Sequence, residues 1–262
     1  LPGSKINSTN LGLKDGYIAS VKGAIFSQLE NVNVIDITHN IQPFNIYEAA
    51  YILKNCYKDF PRGTIHIVGV DDEISVSNEH LAVKANGHFF IGADNGLFSL
   101  LFDDLQPEKI VRLNISQSSD CTTFAIKNIF TTAACHIARG GTLEIIGSEI
   151  KKFDVIKQSL NAVYTNRILK GIIIYIDHYG NAISNIKKQE FIKYDSGNGF
   201  SIFFGREDEI IKNISSKYKD VSISEKLAIF GESNLLQIAI NQGNANKLLG
   251  LRIHETIRIE FK

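Results

Sequence analysis

The first part of the chain alternates between apolar runs typical of strands and apolar spacings typical of helices. Four β-branched runs predict strands at residues 32–37, 64–70, 81–84 and 89–92. Apolar residues three and four apart predict helices that begin at Asp15, after Pro43, and at Asn128. Strands that alternate with helices are typical of a sheet with helices on its faces. The predicted fold class is therefore α/β, with an N-terminal α/β domain over residues 1–160 whose sheet is largely parallel.

The second helix carries its own start signal. Asn45 precedes Glu48 by three residues, which is the spacing of a capping box. The apolar residues of its first turns would form the buried face, and these are Ala49, Ala50, Ile52 and Leu53. The third helix should end at Gly140-Gly141, because glycine is the usual residue after a helix C-terminus.

From about residue 166 the pattern changes to short strands separated by turns that contain glycine and asparagine. The predicted strands are 171–176, 200–204, 226–230, 235–240 and 256–261, with one short helix at 245–249. This pattern is typical of a small antiparallel barrel or sandwich. We predict a C-terminal antiparallel β-barrel domain over residues 161–262, joined to the first domain through residues 151–167.

The balanced charge of the chain argues against a polyanionic partner. The 28 basic residues equal the 28 acidic ones, so no net field favours nucleic acid or an acidic membrane surface, and a small neutral or zwitterionic ligand fits better. The richest apolar run, 171–176, is too short to span a bilayer. Cys56, Cys121 and Cys135 are odd in number and lack a CxxC pair, which favours buried reduced thiols over disulfides or structural zinc.

The start of the sequence leaves the compartment open. The chain begins at Leu1 and contains no methionine, so we expect that an initiator residue was removed before this numbering begins. The cytoplasm is the expected compartment. A periplasmic or secreted protein is the alternative, because the native N-terminus is missing.

Polar residues gather just after several predicted strands, where ligands of parallel sheets bind. These groups are Asp36, Thr38 and His39; residues 71–73; residues 94–96; and residues 177–181. Each also has an ordinary interpretation as a turn, a solvated loop or a capping histidine. No GxGxxG, GxxxxGK[ST], HExxH or GxSxG motif is present, so dinucleotide, P-loop, zincin and α/β-hydrolase interpretations have no support. A carboxylate-rich metal site or an organic-ligand site remains.

Ten short phrases, in order along nearly the whole chain, carry a resemblance to a known family. They are residues 11–17 (LGLKDGY), 22–23 (KG), 35–39 (IDITH), 60–66 (FPRGTIH), 94–97 (DNGL), 123–124 (TF), 176–181 (IDHYGN), 185–186 (NI), 238–239 (IA) and 241–245 (NQGNA). In this series the chain resembles the S-adenosylmethionine (SAM) hydroxide adenosyltransferases, which are SAM hydrolases related to the adenosyl fluorinase and chlorinase.

The resemblance implies a reaction and an assembly. The family substitutes a nucleophile at C5′ of SAM, with water giving adenosine and methionine and halide giving a halogenated adenosine. It implies a homotrimer with active sites between the N-terminal domain of one subunit and the C-terminal domain of its neighbour. No cofactor is expected, since SAM is itself the substrate or ligand.

The resemblance also implies roles for individual residues. Tyr179 would stack on adenine, Asn181 would hydrogen-bond the adenine edge, and main-chain groups near Asn241 and Gln242 would complete base recognition. Phe44 would form an aromatic wall against the ribose and the sulfonium. Phe124 and Asp177 belong to matching phrases and complete the predicted substrate site.

The sequence departs from the family at the ribose and water sites. Asn10 stands where the family has an aspartate that hydrogen-bonds both ribose hydroxyls. Ribose binding should weaken, because asparagine lacks the negative charge that strengthens these hydrogen bonds. Asp71 matches the first of three water-activating groups, but Asn78 stands at the arginine position and Ala125 follows Thr123-Phe124 where a histidine is expected. Loss of a positioned acid or base costs about 10²- to 10⁴-fold in rate.

The altered loop also has new features. Two further acids, Asp72 and Glu73, have entered it, and they would favour sulfonium binding over turnover. Glu79 or His80 is the hypothetical substitute base.

Three function classes follow from these departures. The first is an enzyme that cleaves SAM with a weakened or rearranged water site, with halide as an alternative nucleophile. The second is a non-catalytic binder of SAM or adenosine. The third is a metal-dependent hydrolase, whose oxygen and imidazole ligands would suit magnesium or manganese. Its ligands would be Asp36, His39, Asp71, Asp72 and Asp177.

Overall fold

The computed structural model describes residues 5–9, 11–76, 78–102, 105–116, 123–154, 161–205 and 210–262. Its contacts divide the chain into two units, residues 1–157 and 158–262, and each is described by itself. The predicted site residue Asn10 and the predicted thiol Cys121 lie outside the described residues. Of the other two cysteines, Cys135 is buried and Cys56 is half-buried.

The described residues of unit 1 form one seven-stranded sheet and four α-helices. The strands are β1 (Lys5–Thr9), β2 (Val34–Thr38), β3 (Ile65–Gly69), β4 (His80–Ala85), β5 (His88–Ala93), β6 (Lys109–Leu113) and β7 (Gly147–Glu149). The helices are α1 (Tyr17–Phe26), α2 (Ile46–Cys56), α3 (Leu97–Leu101) and α4 (Thr131–Ala138). A π-helical turn, Ile126–Phe130, leads directly into α4, and 3-10 turns occupy Tyr57–Asp59 and Leu143–Ile145.

The sheet of unit 1 is mixed. Its order is β2-β1-β3-β5-β4-β6-β7, with the first three pairs parallel and the last three antiparallel. The prediction of a largely parallel sheet is therefore wrong from β5 onward. The reason is a tight hairpin between β4 and β5, where Asn86 (φ 51°) and Gly87 (φ 76°) both adopt left-handed backbone. Two such residues form the turn that joins antiparallel neighbours, and this leaves no crossover helix.

Helices cover both faces of this sheet. Ile65 and Ile67 of β3 pack into a cluster with residues of α1 and α4, while Val68 packs into a second cluster with residues of α2 and α3. This alternation follows from the two-residue period of a strand. All five residues of β3 are buried in consequence. β3 is thus held by a core on each side.

The predicted helix starts are confirmed with small shifts. Asn45 caps α2, and its side chain accepts a hydrogen bond from the Glu48 backbone N–H at 3.1 Å. The helix predicted from Asp15 begins at Tyr17, and the helix predicted from Asn128 begins in the π-helical turn two residues earlier. The latter ends as predicted before Gly140 (φ 86°).

In unit 2, the part of the chain that the structure describes forms nine strands and two short helices. The strands are β8 (Val163–Thr165), β9 (Ile168–Ile176), β10 (Ala182–Lys187), β11 (Phe200–Phe204), β12 (Ile210–Ile211), β13 (Ile214–Ser215), β14 (Lys226–Phe230), β15 (Leu235–Ile240) and β16 (Thr256–Phe261). The helices are α5 (Lys188–Tyr194) and α6 (Ala245–Leu249), with a 3-10 turn at Tyr218–Asp220.

These strands form one hydrogen-bonded path, β12-β11-β16-β9-β10-β15-β14-β13, with β8 added beside β9. Every pair is antiparallel except β13 with β14. The predicted strands 200–204, 226–230, 235–240 and 256–261 have the bounds that the sequence indicated. Across the described residues of both units, no helix is long and apolar enough to cross a membrane.

Candidate functional site

A hydrogen-bonded row of side chains closes the carboxyl ends of β1 and β2. The Thr9 hydroxyl lies 2.8 Å from Nδ1 of the buried His39, and Nε2 of His39 lies 3.0 Å from the Asp36 carboxylate, which also contacts Lys22. Burial works to raise the pKa of Asp36, but the hydrogen bonds from Lys22 and His39 outweigh it and hold that pKa below its usual value. Asp36 is therefore a fixed anion.

This row also anchors the residues that follow β1. The Leu11 N–H donates to the Thr9 hydroxyl at 3.3 Å, and the Gly12 N–H donates to the His39 carbonyl at 2.8 Å. Asn10, the predicted ribose residue, lies between these anchored positions in sequence. The row therefore positions the backbone at Leu11 and Gly12. The only sign of this role in the sequence was the segment 35–39 around His39.

Residues 71–76, 78 and 79 lie between β3 and β4, and asparagine side chains hold the backbone of this loop. Asp71 adopts left-handed backbone (φ 50°), which is uncommon for a residue with a side chain. Its carbonyl accepts hydrogen bonds at 3.0 Å from both Asn78 Nδ2 and Asn95 Nδ2. Asn78 Nδ2 also donates to the Glu73 carbonyl at 2.8 Å, and Asn95 Nδ2 to the Val70 carbonyl at 3.0 Å. Strained backbone held in this way is typical of functional sites.

His80 and Asp72 join this loop to the start of the π-helical turn. His80 is 2 % exposed, and its Nε2 lies 2.9 Å from the Asp72 carbonyl. Burial lowers the pKa of His80, so the ring is neutral at pH 7, donates from Nε2 and carries no proton on Nδ1. The Asp72 carboxylate accepts a hydrogen bond from the Ile126 N–H, while burial, and then the charge of Asp71, raises its pKa.

The predicted aromatic residues of unit 1 occupy two different environments. Phe44 is 72 % exposed and has left-handed backbone (φ 64°) in the turn before α2. Phe124 is half-buried, contacts Tyr17 edge-to-face at 5.6 Å between ring centroids, and lies two residues before Ile126. Ala125 is buried in a core cluster of unit 1, and Phe124 packs against that cluster. Phe124 is therefore close along the chain to the residue that binds Asp72.

In unit 2 the loop at residues 177–181 is closed by its own side chains. The Asp177 carboxylate accepts from the Asn181 backbone N–H and from Asn181 Nδ2, both at 2.8 Å. Asn181 is buried, whereas the Tyr179 ring is 75 % exposed. Gly180 has φ 84°, and a Cβ there would overlap the Asn244 side chain. The loop thus presents one aromatic ring from a fixed backbone.

The turn after β15 lies beside this loop. Ala182 of β10 pairs with Ile238 of β15 in antiparallel register, which brings the start of one strand and the end of the other to the same edge. The Gly180 carbonyl accepts from the Asn246 N–H at 2.8 Å. Asn241 is buried with its Nδ2 on the Val221 carbonyl at 2.8 Å, and Gln242 is exposed with φ 55°. The structure therefore brings the predicted residues of unit 2 together.

Tyr218 and Gln237 belong to the same region but had no signal in the sequence. The Tyr218 hydroxyl donates to Gln237 Oε1 at 3.2 Å. Burial, and then the charge of Asp177, raises the pKa of Tyr218. Because Tyr218 follows Asp177 by 41 residues, only the folded sheet brings them together.

The residues of the proposed metal site do not form one cluster. Asp36 contacts His39, Asp71 neighbours Asp72, and Asp177 is bonded to Asn181 in unit 2. In the described parts of the chain, no group of three or more His, Cys, Asp or Glu side chains could hold a metal ion.

Comparison with known families identifies two matching domains. The family model of the SAM hydroxide adenosyltransferase N-terminal domain matches residues 8–147, and that of the C-terminal domain matches residues 171–258. The two matches together cover most of the chain.

Individual relatives agree with these matches. An (R)-S-adenosyl-L-methionine hydrolase of Methanocaldococcus jannaschii is 28 % identical over 264 residues, which covers 97 % of this chain and 94 % of the relative. A fluorinase of Nocardia brasiliensis is 21 % identical over 220 residues, 73 % of each chain. The crystal structure of an uncharacterized conserved protein from Thermotoga maritima superposes with a TM-score of 0.88 at 26 % identity, covering 98 % of this chain and 99 % of that one.

Proposed function

Because this chain belongs to the SAM hydroxide adenosyltransferase family, we propose that it binds S-adenosylmethionine and cleaves it at C5′ with water, giving adenosine and methionine. The full-length relatives named (R)-S-adenosyl-L-methionine hydrolase support this reaction. No cofactor takes part in the proposed reaction.

The observation that carries the proposal is the fixed loop at residues 177–181. Its exposed Tyr179 ring is available to stack on adenine, and aromatic stacking on a base contributes about 1–3 kcal/mol. The adjacent Asn181 amide is held by Asp177, which leaves its oxygen for the adenine edge. Main-chain groups at Asn241 and Gln242 lie at the same edge of the sheet.

The chemistry of the substrate suits the residues of unit 1. The sulfonium of SAM loses its positive charge as the bond from carbon to sulfur breaks, so a water-poor site with the nucleophile held in line favours the transition state. The exposed ring of Phe44 is suited to the sulfonium, because aromatic faces attract cations. Asp71 would orient the attacking water, and the amides of Asn78 and Asn95, which hold its backbone carbonyl, support this role.

A non-catalytic binder is the second candidate, and Asn78 favours it. Its amide holds the carbonyls of Asp71 and Glu73, so it acts on the loop rather than supplying the positive charge of an arginine. Ala125 likewise supplies no acid or base. Incubation with SAM and chromatography separates the candidates, because adenosine with methionine means cleavage, whereas retained SAM without product means binding alone.

Variants and additives sharpen this experiment. Tyr179→Ala should weaken adenosine binding by about 1–3 kcal/mol, while Ile192→Ala, which removes an exposed apolar side chain from α5 of the same unit, should not. Cleavage that stops in strong chelator would favour the metal-dependent hydrolase. A halogenated adenosine formed in chloride or fluoride would favour halide as the nucleophile.

We further propose that the sheet of unit 2 curls into a barrel. Register shifts within β10 and the close approach of Asn185 to Gly171 support this bending of the sheet.

We also propose that the protein is a homotrimer with its sites at subunit interfaces. A solution mass of three times 29.1 kDa would support the trimer. A cytoplasmic location is proposed as well, and the reduced thiol of Cys56 supports it.

A further inference from the structure

Asp72 reaches the backbone position next to the missing histidine. Its carboxylate accepts the Ile126 N–H, and Ile126 directly follows Ala125, the residue that stands where the resemblance expects a histidine. Asp72 also directly follows Asp71, which matches the first water-activating group of the family. The carboxylate therefore lies between the two chain positions from which water activation is expected.

The backbone on both sides of Asp72 is fixed. Asn78 Nδ2 bonds the carbonyl before it, of Asp71, and the carbonyl after it, of Glu73. His80 Nε2 donates to the carbonyl of Asp72 itself at 2.9 Å. Because the backbone of Asp72 is fixed and its carboxylate accepts the Ile126 N–H, the carboxylate loses little orientational freedom when substrate binds. Such preorganisation is the condition for an effective base.

The surroundings of Asp72 suit proton transfer. The groups that act on its carboxylate are the N–H of Asp72 itself, the Ile126 N–H, the neutral His80 ring and the Asp71 carboxylate. Burial, and then Asp71, raises the pKa of Asp72 above its usual value, although both N–H hydrogen bonds work to lower it. Brønsted behaviour makes a carboxylate a stronger base as its pKa rises toward the working pH. A carboxylate has about four acceptor sites, so these two N–H groups leave room to bind water.

We propose that Asp72 is the general base of this chain and takes over the proton-accepting role of the missing histidine. The water oxygen forms the new bond to C5′ while the bond from C5′ to sulfur breaks and its electron pair goes to sulfur. One water proton passes to the Asp72 carboxylate and then to solvent. The products are adenosine, neutral-sulfur methionine and one proton, which balances the charge of the sulfonium. This inference rests on the proposed function.

Asp72→Asn is the test, because the asparagine Oδ1 still accepts the Ile126 N–H and so preserves the packing of the loop. We expect kcat to fall about 10²- to 10⁴-fold, the cost of losing a positioned base. Adenosine affinity measured by calorimetry should stay within about twofold, since the lost group acts on the water and not on the nucleoside.

The pH profile separates a base from a structural residue. Wild-type kcat should decline as pH falls through the Asp72 pKa, and this acidic limb should be absent in Asp72→Asn and present in Asp72→Glu. Glu232→Gln is the control, because it removes one exposed carboxylate from unit 2 and should keep the limb.

Three results would overturn the proposal. Asp72→Asn with wild-type kcat and an unchanged limb would exclude Asp72, and disappearance of the limb in Asp71→Asn alone would assign the base to Asp71. Wild-type protein that binds adenosine but forms no product would remove the proposed hydrolysis itself, and the proposal with it.

Discussion

The buried histidine pair of unit 1 should make the fold sensitive to acid. His66 is 1 % exposed on β3, its Nε2 lies 3.3 Å from Nδ1 of His88, and its ring stacks on Phe90 at 4.8 Å between centroids. Burial, and then the charge of His88, lowers the pKa of His66 from 6.5 to about 3. Arg62 is the charged group that acts on His88.

The pH dependence of the free energy of unfolding follows from proton binding at His66. Between pH 6.5 and about 3 the unfolded chain binds a proton at His66 that the folded chain does not, so stability is complete above pH 6.5 and is lost as pH falls. The loss is about 1.4 kcal/mol per pH unit, or about 2.7 kcal/mol between pH 6.5 and about pH 4.5. His80 and His88 also have lowered pKa values through burial and add to the same slope.

His66→Phe tests this reasoning, because phenylalanine keeps a ring on Phe90 and cannot titrate. Urea titrations followed by circular dichroism at half-unit pH steps should show a slope smaller than that of wild type by about 1.4 kcal/mol per pH unit. The comparison uses the slope and not the free energy of unfolding at pH 7, because His88 loses its hydrogen-bond partner in His66→Phe. The exposed His178 gives the control variant His178→Phe. An unchanged slope in His66→Phe, or an NMR titration of the folded His66 ring near pH 6.5, would refute the reasoning.

Three further variants test the site. Tyr218→Phe removes the hydroxyl that bonds Gln237 and should weaken SAM binding about fivefold, the equivalent of one hydrogen bond, as measured by calorimetry; an unchanged Kd would place Tyr218 outside the site. Asn78→Ala frees the carbonyls of Asp71 and Glu73, and should lower kcat with little change in adenosine affinity; equal losses in both would mean a general loss of folding. Gly180→Ala adds a Cβ at φ 84° against Asn244 and should destabilise unit 2 by about 1 kcal/mol or more in urea titrations and weaken adenosine binding; wild-type stability would contradict the assigned backbone.

The sequence predicted β9, β11, β14, β15 and β16 of unit 2 but missed β8, β10, β12 and β13. β14, β15 and β16 are apolar runs, and glycine- or asparagine-containing turns separate several of the predicted strands, so their bounds were predictable. The sequence of β10 contains Ser184 and Asn185, which suggest a loop. In the fold both are buried, because the Ser184 hydroxyl donates to the Leu236 carbonyl at 2.9 Å and Asn185 Oδ1 accepts the Ile172 N–H at 2.8 Å. Such compensation by distant backbone leaves no local signal.

The candidate site shows the same division. The contiguous phrase at residues 177–181 and the capping residue Asn45 were evident as local patterns. Asn95 was visible only as a turn residue, although its amide holds the carbonyl of Asp71, and Tyr218 was not visible at all. The partners of Asp72 were hidden for the same reason, since Ile126 follows it by 54 residues. Contacts of this kind depend on the packed sheet and not on spacing.

The interior place of β16 has a consequence for synthesis on the ribosome. β9 and β11 are both completed only when residues 256–261 insert between them, so the free edge of β9 stays unpaired while about eighty residues are translated and that of β11 while about fifty are. Exposed edges of this kind invite pairing with other nascent chains. A version cut before β16 should therefore accumulate as insoluble protein, whereas loss of the edge strand β12 should be tolerated far better.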